Sequence, residues 1–263
     1  MNWLHVFILS IIEGLTEFLP ISSTGHMIIA STLFGIQEDQ FVQNFQIIIQ
    51  FAAIIAVLVL YWKHLLTKKH LVAKILVASI PFLVVGFLSK SAVEQLISET
   101  KVVAIALIVG GIVFLIFEKY IVDERRETSF ENLTFVQCIQ LGFLQCLALI
   151  PGTSRSGATI IGGLVLKLSR KDAAEFSFLL GIPTLSAVTF YKLYKIYPTI
   201  QTDQISYLVV GSVIAFFVAM AAMKFFIHIV TKYGFRFFGW YRIILGCLVL
   251  IMIEIINLRK NAE

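Results

Sequence analysis

Charge is what this chain has least of. Charged residues make up 14% of its 263 positions, whereas 59% are hydrophobic. A soluble domain carries roughly 25% charge and has no core large enough for so much apolar surface, so a soluble globular fold is excluded. Cysteine is scarce as well. Cys138, Cys146 and Cys247 lie inside apolar segments and show no metal-ligand spacing; an odd set of that kind reads as small buried hydrophobes. No Lys or Arg precedes Lys63, and Glu13 and Glu17 interrupt the first apolar stretch. A cleavable signal peptide is therefore not expected. The net charge of +5 is scattered between apolar runs. That distribution forms no basic stripe, excludes a nucleic-acid partner, and suits residues that set membrane topology.

Long apolar runs are what the chain has in abundance. Ile47 to Trp62, Val102 to Phe117, Tyr207 to Met223 and Ile243 to Ile256 each approach the ~20 residues that cross a bilayer. The pattern predicts an all-α polytopic membrane protein. Six spans fall near 43–62, 71–89, 102–118, 174–191, 207–224 and 238–257. Two further apolar regions, 3–36 and 133–168, are each broken by a polar stretch, EFLPISSTGH and LIPGTSRSGAT. Non-helical backbone at membrane depth is tolerated only under cover of protein or a wet cavity. These regions are therefore expected to be two re-entrant helical hairpins.

The two broken regions align at an offset of 132, which brings Leu9, Leu15, Ser22, Gly25, Ile28 and Ile29 onto Leu141, Leu147, Ser154, Gly157, Ile160 and Ile161. The expectation is a single membrane domain, 1–263, made of two repeats at about 1–132 and 133–263. Charge agrees with an inverted topology. With the Lys63–Lys74 loop inside, Lys119, Arg125, Arg126, Lys167, Arg170, Lys171, Lys224, Lys232, Arg236 and Arg242 also fall inside. The count is fourteen basic residues against six, with Arg155 left alone in the membrane. This satisfies the positive-inside rule and puts the first hairpin on the outer side. Inverted repeats hold their site near the midplane, at broken helices.

The two breaks carry the residues capable of chemistry. Glu13 and Glu17 are four apart and share a helix face. Pro20 ends that helix, and Ser22, Ser23 and Thr24 can cap the next. If Ser23 and His26 occupy its first turn, their i, i+3 spacing brings hydroxyl and imidazole together. In the second break, Pro151 and Gly152 interrupt the chain, and Ser154, Ser156 and Thr159 surround Arg155. Helix N-termini suit phosphate, an arginine fork binds phosphate oxygens, and paired carboxylates hold a divalent cation. A serine beside a histidine is a nucleophile beside a base. Together these parts fit pyrophosphate cleavage. Gln50, polar within IIIQFAAII, faces the site or bonds another helix. His5, His64, His70 and His228 lack such company, and the charge run Asp123 to Asn132 reads as a solvated loop.

Carried on EGLTEFLPISSTGH and PGTSRSGAT, the sequence resembles the undecaprenyl-diphosphate phosphatase family, the membrane enzymes also called bacitracin-resistance proteins. The resemblance runs the full length. It implies six transmembrane helices plus two re-entrant helical hairpins in an inverted-topology repeat, in the bacterial inner membrane, with the pocket opening outward. The implied substrate is undecaprenyl diphosphate, with other polyprenyl diphosphates accepted. Ser23 would be the nucleophile, and Arg155 would stabilise the transition state beside N–H groups near Ser154 and Ser156. His26 would shuttle protons or touch phosphate; a rival assignment makes it the nucleophile. Glu17 and Glu13 would bind Mg²⁺ or Ca²⁺, or orient His26. Substrate contacts would include Ser22, Thr24, Gly25, Gly152, Thr153, Ser154, Ser156, Thr159 and Gln50. Oligomeric state is open, a homodimer included.

Acid-phosphatase-type lipid phosphatases are disfavoured. They pair SGH and SR with a later H-x-x-x-D, whereas the next histidine after Arg155 here is His228. The competing class is a transporter or flippase of a polyprenyl phosphate, since inverted repeats with broken helices also carry anions. Serine, histidine and paired carboxylates together serve chemistry rather than flipping.

Overall fold

The computed structural model describes residues 1–97, 99–120, 128–199 and 201–260. Its named elements are helices: α1 (Trp3–Thr16), α2 (Ser23–Leu33), α3 (Gln40–Thr67), α4 (Lys69–Leu88), α5 (Lys90–Ile97), α6 (Thr100–Tyr120), α7 (Phe135–Gln145), α8 (Arg155–Val165), α9 (Arg170–Ile196), α10 (Ile205–Tyr233) and α11 (Arg236–Lys260). Among the described residues the sole β feature is one bridge, Thr128 to Leu168. Six helices, α3, α4, α6, α9, α10 and α11, are long and apolar enough to cross a membrane. They cover the six expected spans. Each broken region holds two short helices, α1 with α2 and α7 with α8. The amphipathic α5 was not anticipated.

Polar residues start several helices where their backbone N–H groups would otherwise lack partners. Asn2 caps α1, Asp39 caps α3, and Ser169 caps α9. Thr134 and Gln137 close a capping box on α7. The outer surface is oily: Leu66, Phe87, Val109, Phe217 and Ile251 are exposed. In water such a surface would demand cover; for a chain of six spans it is the lipid face. Phe18, Phe45, Phe114, Phe176, Phe178 and Phe226 fill the interior.

Lipid tails offer no hydrophobic drive between helices, so close packing must supply the cohesion. The most extensive seam joins α6 to α11. A Cβ on Gly111 would lie 2.6 Å from the Gly239 carbonyl; only glycine allows that approach. Helix α1 packs on α10, α7 on α4, and α8 and α3 both on α9.

The loops expected to share one side do come together. Arg170 pairs with Glu118 at 2.5 Å, and the Phe235 N–H donates to the other oxygen of Glu118. Lys68 pairs with Glu131. Part of the Asp123–Asn132 run is thus tied down, and Phe130 is buried against Phe176. Arg125 and Arg126 lie outside the described residues. One basic residue contradicts its assigned side. Arg242, counted at a loop, is completely buried. It stands in the first turns of α11 and points inward to backbone carbonyls, so Arg155 is not the lone interior arginine.

Candidate active site

Two unusual turns build the site. After α1 the chain passes Pro20 and enters Ser22 at φ 68°, ψ 94°; after α7 it passes Gly152 and enters Ser154 at φ 69°, ψ 116°. Positive φ is costly for a residue with a side chain and persists only where the surroundings fix it. Capping supplies the fixing here. Ser22 Oγ accepts the Gly25 N–H at 3.3 Å, and Ser154 Oγ accepts the Gly157 N–H at 3.1 Å. The two turns meet: Ser156 Oγ donates to the Leu19 carbonyl at 2.8 Å, and Ser154 and Ser156 hydroxyls lie 3.0 Å apart.

Glu17, at the C-terminal end of α1, is the hub. Its Oε2 accepts from Ser23 Oγ at 2.6 Å and from Gln50 Nε2 at 3.3 Å. Its Oε1 stands 3.6 Å from Arg155 Nη2. Glu17 is 6% exposed and Arg155 9%, so little water screens the pair. Arg155 donates from Nη1 to the Ser177 carbonyl at 2.7 Å and lies over the Phe18 ring. Its Nε and Nη2 have no hydrogen-bond partner. Gly181 makes the room, since a Cβ there would fall 2.7 Å from Nη2.

The expected Ser23–His26 pair does not form. Side chains on a helix lean toward its N-terminus, which swings the Ser23 hydroxyl back onto Glu17. His26 is held elsewhere: Nδ1 is 2.8 Å from the Ser22 carbonyl, and Nε2 is 2.6 Å from the Tyr241 hydroxyl. The rings stack with centroids 5.6 Å apart. A carbonyl only accepts, so Nδ1 carries a proton.

The remaining sequence candidates divide by environment. Thr24 is exposed, while Thr153, Ser154 and Gln50 are half-buried. Gly25 is buried behind Leu107, and Gly152 sits at φ 91° with its absent side chain against the Val103 carbonyl. Thr159 does not open its hydroxyl to the site. Its Oγ1 bonds the Arg155 carbonyl at 2.9 Å and Ser177 Oγ at 2.6 Å, because its side chain folds back on its own helix.

Glu13, one turn before Glu17, is 3% exposed, and its Oε1 has no hydrogen-bond partner. Two carboxylates with an unsatisfied oxygen fit a hard cation, and Mg²⁺ characteristically takes one or two carboxylates plus phosphate oxygens. No group of three or more acidic, His or Cys ligands occurs among the described residues, so substrate or water would complete the shell.

Sequence reasoning missed Ser177, Gly181, Tyr241 and Arg242. Only Arg242 carried a signal, being a charge at the start of an apolar run.

A family model described as Bacitracin resistance protein BacA matches residues 6–248. An undecaprenyl-diphosphatase of Bdellovibrio bacteriovorus is 52% identical over 256 residues, covering 96% of this chain and 97% of that protein. One from Wolinella succinogenes is 48% identical over 257 residues, covering 97% and 100%. Another, from Flavobacterium johnsoniae, is 44% identical over 255 residues, covering 96% of each.

Proposed function

The chain belongs to the bacitracin resistance protein BacA family, and on that premise we propose that it hydrolyses undecaprenyl diphosphate to undecaprenyl phosphate and inorganic phosphate. The observation that carries the mechanism is the 2.6 Å bond from Ser23 Oγ to Glu17. A buried carboxylate accepting the proton of a serine is a base beside a nucleophile.

Ser23 Oγ forms a bond to the terminal phosphorus as the bridging P–O bond breaks, its electron pair leaving on undecaprenyl phosphate. The serine proton passes to Glu17 Oε2. Water then attacks the phosphoserine, phosphate leaves, and the proton returns to Ser23. Charge on the transferring phosphoryl oxygens meets Arg155, whose Nε and Nη2 make no hydrogen bond. Further donors come from the first N–H groups of α2 and α8, which no helix uses internally. Ser22, Thr24, Gly25, Thr153, Ser154 and Ser156 form these two helix starts. Gln50 holds Glu17 in place. Gly152 and Thr159 shape the second start rather than touch phosphate. His26 fixes the Ser22 turn beside the nucleophile and exchanges protons through Tyr241. Bound between Glu13 and Glu17, a divalent cation, Mg²⁺ or Ca²⁺, would supply charge neutralisation for the diphosphate oxygens.

We read α1–α2 and α7–α8 as two re-entrant hairpins, and 1–132 and 133–263 as inverted repeats of one domain. Supporting this, the Ser22 and Ser154 turns share their geometry, and α1 on α10 mirrors α7 on α4. With Arg242 removed from the count, basic residues still favour one side by thirteen to six. That bias supports the inner membrane with the pocket opening outward, where prenyl diphosphates of other lengths would also enter.

Phosphate release from a C55 or C15 prenyl diphosphate by purified protein, with Mg²⁺ or EDTA, tests the reading. Metal-dependent release lost in Ser23→Ala is expected. No release by the folded wild type would overturn the hydrolase.

A further inference from the structure

Among the described residues, Arg242 is the largest wholly buried side chain. A charge so placed normally pairs with a carboxylate, because desolvating it alone is expensive. Arg242 uses backbone instead. Its Nε donates to the Leu107 carbonyl at 3.4 Å, and its Nη2 to Ala106 at 3.1 Å; both acceptors belong to α6. The other two bonds reach the turns of the site. Nη1 donates to the Pro20 carbonyl at 3.0 Å, and Nη2 to the Gly152 carbonyl at 3.1 Å.

Those two carbonyls are equivalent. Pro20 and Gly152 are separated by the same 132 residues as Ser22 and Ser154. Each lies two residues before the serine that caps α2 or α8. One guanidinium thus holds both turns at corresponding points. The offset continues at the arginine itself, since Arg242 corresponds to Gly110. A Cβ on Gly110 would lie 2.2 Å from Nη2. Where the first half has glycine, the second places an arginine, and the arginine occupies the space the glycine leaves.

We propose that Arg242 is a positioning residue, a planar staple that fixes the distance between the two helix starts carrying Ser23 and Arg155. The proposal rests on the hydrolase reading above. Ser23 begins α2 and Arg155 begins α8, so a shift between the turns moves nucleophile and phosphate donor apart. Displacement of about 1 Å in such a pair costs on the order of 100-fold in rate. The planar fork supplies donors at fixed angles to both carbonyls, which a lysine ammonium on a flexible stem does not reproduce. Tyr241, the preceding residue, holds His26, so one turn of α11 steadies both breaks.

The test compares wild type, Arg242→Lys, Arg242→Gln and Gly110→Ala in phosphate release from a C15 prenyl diphosphate. Rates are normalised to folded protein judged by size exclusion and thermal melting in detergent. Gly110→Ala keeps every polar group and favours the helix, yet pushes the guanidinium off its carbonyls. A positioning role predicts that kcat falls about 100-fold in Arg242→Gln, with KM within about threefold. Gly110→Ala should fall by a comparable factor, and Arg242→Lys should recover only part of the loss.

Folded variants with wild-type kcat would overturn the proposal. Full rescue by lysine would too, since charge alone would then suffice. Loss of folded protein in all three would make Arg242 a folding requirement instead. A wild type that releases no phosphate would defeat the hydrolase reading itself, a different result from an active wild type with indifferent variants.

Discussion

Glu17→Gln probes the hub with almost no change in shape. The amide can still accept from the Ser23 hydroxyl, which donates to Oε2 at 2.6 Å in the native protein. It cannot take the proton. A positioned general base contributes roughly 10²- to 10⁴-fold, which at about 1.4 kcal/mol per decade is about 3 to 5.5 kcal/mol of barrier. The same change deprives Arg155 of its carboxylate partner. Removing one member of a well-made buried pair costs about 3 to 5 kcal/mol. Here the pair stands at 3.6 Å and Arg155 keeps its bond to the Ser177 carbonyl, so the stability loss belongs at the lower end, about 3 kcal/mol.

The assay is single-turnover phosphate release on folded protein, with a melting curve alongside. Turnover should fall at least about 100-fold, with the melting temperature also lowered. Glu17→Asp keeps the charge but withdraws it by about one carbon–carbon bond, roughly 1.5 Å, and should fall between the two. If Glu17→Gln melts earlier yet turns over within about threefold of wild type, well short of a general base's share, Glu17 is only Arg155's counter-ion. The base would then have to be sought elsewhere, His26 first.

Three other changes test separate residues. Gly152→Ala places a methyl 2.4 Å from the Val103 carbonyl at φ 91°; overpacking and backbone strain together should cost about 3 kcal/mol or more. Gly35→Ala, at φ 66° with nothing within 4 Å, meets strain alone and should cost about 1 kcal/mol, so equal melting temperatures would contradict the packing argument. Glu13→Gln should raise the half-saturating Mg²⁺ concentration by about 10- to 100-fold, with kcat recovering at high Mg²⁺, whereas an unchanged Mg²⁺ titration would remove Glu13 from the cation site.

What could be read in the chain beforehand followed from local chemistry. Apolar runs near bilayer length gave the six spans, and Pro20 and Pro151–Gly152 marked the breaks. The acidic pair, the serines and Arg155 stood within two short stretches. What escaped needed side-chain direction or distant neighbours. Ser23 turns back to Glu17 rather than forward to His26, a choice made by its place at the start of α2. Arg155 is seated by Ser177 and Gly181 on α9, which carry no local mark of that duty. Arg242 sits near the start of a span, where an arginine ordinarily marks the membrane edge; only the fold turns it inward. Thr159 looked like a ligand because it is polar and near Arg155, yet the hydroxyl satisfies its own helix.

Whether Ser23 takes the phosphoryl group is decided by a search for the phosphorylated enzyme. Wild-type protein is mixed with a prenyl diphosphate labelled in its terminal phosphate, quenched in acid within a turnover, and digested for mass spectrometry. Attack by Ser23 predicts an acid-stable phosphoserine at that position, absent in Ser23→Ala. An acid-labile label on His26, or turnover undiminished in Ser23→Ala, would contradict it.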